Sequence, residues 1–71
     1  MSDNKGNNNF LLNLRKITGE TQPQFARRIG ISVRSVKRHE GADTLPENEA
    51  VRRGLRELAQ QHGMEIPSDM A

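Results

Sequence analysis

The stretch Gln22-Pro23-Gln24-Phe25-Ala26-Arg27-Arg28-Ile29-Gly30-Ile31-Ser32-Val33-Arg34-Ser35-Val36-Lys37-Arg38-His39 decides how this chain folds. Thr21 stands just ahead of it, and with Gln24 makes the T-x-x-Q spacing of a capping box, while Pro23 suits a first helical turn. A helix therefore starts here, with Phe25, Ala26 and Ile29 on its apolar face and Gly30 at its end. Ser32 caps a further helix over 33–39, whose buried position is Val36. Only Gly30-Ile31-Ser32 joins the two, too short a link for an antiparallel return, so the helices must cross steeply. Ala26 sits where the later helix comes closest, and only a small side chain permits that approach. Gly30 accepts the positive φ that the sharp turn demands. Ile31 and Val36 fill the angle.

The spacing A-x3-G-x5-V over Ala26, Gly30 and Val36 is the sequence shape of a helix-turn-helix. Outward from it the period stays helical. Phe10, Leu11, Leu14 and Ile17 share one stripe, and Gly19 stops it. Downstream, Gly41 follows the 33–39 helix. Thr44 with Glu47 forms a second capping box, and Pro46 opens a longer helix over 46–62. Val51, Leu55, Leu58 and His62 fall on its inner face, and Gly63 closes it. No strand signal appears. The fold expected is all-α, a compact four-helix cluster.

Composition sets the limits of that cluster. Leu, Ile, Val and Phe number fifteen of 71 residues, all between Phe10 and Ile66, so the core is thin. Residues 1–9 hold four Asn and read as a flexible N-terminal arm; 67–71 read as a frayed tail; 10–66 are the folded domain. The absence of Cys excludes a disulfide scaffold and a thiolate metal site. Apolar runs are too short to span a membrane or form a signal-peptide core, so the cytoplasm is the expected location. Net charge is only +2, but residues 15–40 carry seven basic side chains against Glu20 and Glu40. Residues 41–71 carry three basic and six acidic ones. A basic block beside an acidic half suggests a polyanion-facing surface; a solvated helix face is the plainer alternative.

Residues 11–62 resemble the DNA-binding domain of the Cro/repressor (XRE-type) helix-turn-helix family, the lambda-repressor-like fold. The likeness rests on Leu14-Arg15, on Thr21-Gln22-Pro23-Gln24-Phe25-Ala26, on Ile29-Gly30-Ile31-Ser32, on Ser35-Val36 and on Glu40-Gly41. It implies that Gln22 contacts a phosphate and that Val33, Arg34, Lys37 and Arg38 form the outward, base-reading face of a recognition helix. Two departures stand out. His39 occupies a place usually held by a bulky apolar or aromatic residue, and the family's fifth helix has no counterpart here.

The chemistry of the residues agrees. Arg34 and Arg38, four apart, project from one side of their helix, and each can pair bidentately with guanine O6 and N7. Val33 offers a methyl surface to thymine. Arg15, Lys16, Arg27 and Arg28 suit phosphate anchoring, as do Ser32 and Ser35, the latter also able to cap its own helix. No metal or cofactor is expected from two lone histidines, His39 and His62, and no catalytic constellation is present. Arg52, Arg53 and Arg56 alternate with Glu47, Glu49 and Glu57 and read as helical ion pairs.

The function expected is sequence-specific double-stranded DNA binding by a transcriptional regulator, a repressor on an inverted-repeat operator, and not an enzyme. The alternative is a protein-binding helix-turn-helix module, such as the antitoxin of a toxin–antitoxin pair, whose acidic half meets a basic protein partner. One recognition helix reads few base pairs, so a weak homodimer completed on DNA is expected. Its interface is expected in the 41–71 half, with Leu58, Ala59, Met64 and Ile66 as the apolar candidates.

Overall fold

A computed structural model describes residues 9–70. It holds α1 (Phe10–Thr18), α2 (Gln22–Ile29), α3 (Val33–Ala42) and α4 (Glu49–Gln61), followed by a 3₁₀ turn at Ser68–Met70. The architecture is an all-helical cluster of four α-helices, and no strand occurs among the described residues. Residues 1–8 of the expected arm lie outside the described residues.

Local chemistry sets most of the boundaries. Thr21 caps α2 in a complete capping box: Gln24 N–H donates to Thr21 Oγ1 at 3.3 Å, and Thr21 N–H donates to Gln24 Oε1 at 3.0 Å. Ser32 Oγ accepts from Ser35 N–H at 3.1 Å and caps α3. Gly30 turns the chain between them at φ 85°, a left-handed conformation that L side chains adopt at a cost. Its N–H and that of Ile31 both donate to the Ala26 carbonyl, at 2.9 and 3.0 Å, closing α2.

The core gathers Phe10, Leu11 and Leu14 from α1, Phe25, Ala26 and Ile29 from α2, Val36 from α3, and Val51, Leu55, Leu58 and Ala59 from α4. Each fully buried Leu, Val or Phe contributes about 1.5–3 kcal/mol. Ile31, Val33, Met64 and Ile66 pack against this cluster, partly buried. Two of the four apolar candidates for a dimer face, Leu58 and Ala59, are therefore core residues, and Met64 and Ile66 lie against the core. Met64 and Ile66 keep part of their surface exposed.

Several boundaries differ from expectation. Helix α3 runs through Gly41 to Ala42 and ends on Asp43 at φ 56°, a conformation Asp tolerates better than most residues. Helix α4 starts at Glu49, capped by Asn48 Oδ1 accepting from Val51 N–H at 3.1 Å, and not at Pro46 behind a Thr44–Glu47 box. Leu45 and Pro46 are both buried, in a non-helical segment that leads into α4. The Thr44 hydroxyl is meanwhile engaged by His39 Nδ1 at 2.8 Å.

Ile17 is 49% exposed, because Gly19 turns the chain away before anything covers the last turn of α1. His62 is exposed at the end of α4, where the backbone leaves helical geometry and carries the ring off the inner face. Asn9, assigned to the arm, donates its backbone N–H to Asp43 Oδ1 at 2.7 Å and ties the start of α1 to the end of α3. Of the expected tail, residues 67–70 are described, with a 3₁₀ turn over Ser68–Met70. Met70 is 1% exposed within the core, and its carbonyl accepts from Arg56 Nη1 at 3.0 Å.

Gly54 lies inside α4, exposed, and a Cβ built there meets nothing within 4 Å. Glycine in an exposed helix interior is about 1 kcal/mol less favourable than alanine. Gly54→Ala is accordingly expected to raise the thermal midpoint by several degrees, read by circular dichroism at low protein concentration. An unchanged or lower midpoint would contradict the open surroundings of this position.

Candidate nucleic-acid interface

Helices α2 and α3 share the most extensive helix–helix packing in the molecule. Ala26 is 2% exposed, and Phe25 and Val36 are fully buried. This corner fixes the direction of α3, whose outward side presents Arg34, Lys37 and Arg38, all exposed. At 100° per residue these three span about a quarter of the helix circumference. Val33 is only partly exposed and rests against the core, so the methyl surface it offers is limited to part of the side chain.

The basic block divides into held and free charges. Arg15 is held: its Nε donates to Glu40 Oε2 at 2.7 Å, its Nη2 to Glu40 Oε1 at 3.2 Å and its Nη1 to the Glu20 carbonyl at 3.2 Å. The two side chains of this pair are 18% and 8% exposed. Gln22 Nε2 donates to the same Glu40 Oε1 at 2.9 Å. Glu40 thereby ties α1, the first turn of α2 and the second half of α3 together. Arg28 is held by Glu20, with Nε donating to Glu20 Oε2 at 2.8 Å and Nη2 bonded to the same oxygen.

The two acids of the block are thus both consumed within it. Arg15 and Gln22, expected to anchor phosphates, have their side-chain donors directed at Glu40, and Arg28 has its directed at Glu20. The Ser32 and Ser35 hydroxyls are bonded to one another at 3.0 Å, in addition to the cap. Lys16, Arg27, Arg34, Lys37 and Arg38 remain, exposed and without a hydrogen bond or ion pair among the described residues. They carry the whole +5 excess of residues 15–40. The internal role of Glu20 and Glu40 was missed in the sequence, although they are the only acids in a strongly basic segment.

Electrostatics follow the contacts. Burial opposes the charge on Glu40, but the hydrogen bonds from Arg15 and Gln22 and the charges of Arg15 and Lys16 outweigh it and hold the carboxyl below its ordinary value. The hydrogen bond from Arg28, with its charge, lowers Glu20 in the same way. Burial and the neighbouring Arg38 charge lower His39, which favours the neutral ring that is bonded to Thr44. No group of three or more His, Cys, Asp or Glu that could hold a metal occurs among the described residues. No described helix is long and apolar enough to cross a membrane.

A pH dependence results. Because the folded-state value of Glu40 lies below its ordinary value near 4.5, its contribution is full above that value and is lost as pH falls through the folded-state value. Thermal midpoints measured from pH 7 down to 3 should therefore fall on the acid side. Glu40→Gln should melt lower than the parent at pH 7 and show a flatter acid limb. Parallel curves for the two chains would show that this carboxylate does not carry the effect.

Compared with described protein families, with characterised proteins and with solved structures, the chain matches none.

Proposed function

We propose that this protein binds double-stranded DNA sequence-specifically through a helix-turn-helix formed by α2 and α3, and acts as a transcriptional regulator that represses by occupying its site. The observation that carries this reading is the sorting of charge. Two acids pair with two arginines, Glu40 with part-buried Arg15 and Glu20 with Arg28 at the surface, and the five cations left over make no hydrogen bond or ion pair among the described residues, three of them on one face of α3. A free cation set of this kind suits a polyanion, and an exposed helix face of two arginines and a lysine suits the donor and acceptor edges of the major groove. Lys16 and Arg27, on α1 and α2, suit backbone phosphates flanking that groove. The alanine–glycine–valine corner supports the same reading, since it holds α3 rigidly on the cluster with its basic side outward.

The test is selection of bound duplexes from a random pool, repeated with Arg34→Ala and Arg38→Ala. Each substitution is expected to relax preference at its own base position and to weaken the selected site by about 1–3 kcal/mol. Random duplexes should lose much less. Equal losses on selected and random duplexes would show that α3 does not read bases, and recovery of no enriched sequence would overturn the function.

A further inference from the structure

We infer that the duplex this chain selects carries guanines in at least two of three successive base pairs, read from the major groove by Arg34 and Arg38, an assignment that rests on duplex binding through α3. Most other groups of that helix already have partners inside the protein. The Ser32 and Ser35 hydroxyls are bonded to one another at 3.0 Å. His39 Nδ1 is turned to Thr44 Oγ1 at 2.8 Å. Glu40, the only acid of α3, accepts from Arg15 and Gln22. Val33 packs against the core with part of its side chain exposed, and α3 contains no Asn or Gln. What α3 presents to a base edge is therefore Arg34, Lys37 and Arg38, all exposed.

These three side chains donate hydrogen bonds and accept none. In the major groove only guanine places two acceptors, N7 and O6, side by side on one base edge. Adenine sets an amino donor beside its N7 and calls for an amide side chain, while the cytosine amino group calls for a carboxylate. The exposed face of α3 holds neither. Thymine offers a single acceptor next to its methyl group. An arginine on this face thus gains two hydrogen bonds from guanine and at most one from adenine or thymine. Spacing sets how far apart the guanines lie. Arg38 follows Arg34 by about 6 Å along the helix axis. In zinc-finger helices, residues roughly three apart on the groove-facing side reach successive bases. Arg34 accordingly serves one pair, and Arg38 the next or the next but one. Lys37 adds a point charge without the planar fork that fixes a bidentate contact.

The test uses the whole chain and base analogues. Duplexes are selected from a random pool, and each guanine common to the selected site is replaced in turn. One replacement is 7-deazaguanine, which lacks N7; the other is hypoxanthine, which keeps N7 and O6 and lacks only the minor-groove amino group. At two guanines within three successive pairs, 7-deazaguanine should weaken binding on the order of tenfold, and hypoxanthine should leave it nearly unchanged. Arg34→Ala should lose the response to 7-deazaguanine at one of the two and keep it at the other. Arg38→Ala should do the reverse, and thermal melts of both variants verify folding. A selected site without two guanines at that spacing would overturn the assignment and leave duplex binding standing. So would guanines that tolerate 7-deazaguanine, or variants that keep the full response at both. A pool that yields no enriched duplex would remove the DNA reading, and this assignment with it.

Discussion

Raising the salt from 50 to 200 mM is expected to weaken duplex binding by about 500-fold for each bound chain. The figure comes from the five free cations. If each of Lys16, Arg27, Arg34, Lys37 and Arg38, the base-facing three of α3 included, displaces one condensed counterion from the duplex, the slope is about −4.5 in log affinity against log salt. Counting all seven basic residues of the block would give a steeper slope, of about −6.3. The difference between the two measures the geometry directly, because Arg15 and Arg28 are bonded to Glu40 and Glu20. Arg27→Ala should flatten the slope by about one and weaken all sequences similarly. A titration at four or five salt concentrations decides it. Absence of duplex binding at 50 mM would remove the DNA reading, and a slope near −6.3 would mean that both ion pairs open on binding.

That distinction also marks how far the sequence could be read. The α2–α3 corner was legible because its determinants are local. The Thr21–Gln24 box, the Ser32 cap and Gly30 each act within three or four residues, and each appears in the structure. The buried stripe Phe25, Ala26, Ile29 and Val36 follows from period alone. What escaped depends on residues far apart in the chain. Arg15 and Glu40 are 25 positions apart, and no spacing rule connects them. Thr44 has the sequence of a cap, but His39 takes its hydroxyl, and Leu45 and Pro46 are buried in a segment that is not helical. The start of α4 then falls to Asn48, a stronger capping residue whose place the apolar period does not reveal. Ile17 fits the α1 stripe perfectly well and is still exposed, since periodicity gives the direction of a side chain but not whether anything lies there to cover it.

The second large effect lies at the end of the chain. Met70→Ala is expected to destabilise the fold by about 2–5 kcal/mol, the range for truncating a buried Met. A domain of this length has a total stability of roughly 4–10 kcal/mol, so the loss is a large fraction of the whole. The thermal midpoint should fall by about 10 °C or more. Sequence alone gives no hint of this: Met70 follows Pro67 in a polar segment with no period. An unbranched side chain of this kind fills irregular gaps, and here it does so at 1% exposure, beside the core that four helices leave incomplete. The backbone is arranged to bring it there. Met70 N–H donates to the Pro67 carbonyl at 2.9 Å, and Arg56, which also pairs with Glu49 at 2.8 Å, donates to the Met70 carbonyl. Met70→Leu keeps the volume and should cost less than about 1.5 kcal/mol. Stopping the chain after Pro67 removes the carbonyl tether as well, and should melt at or below the Met70→Ala chain. If truncation left the midpoint unchanged, the Ser68–Met70 turn would not be docked in solution, and the core would close without it.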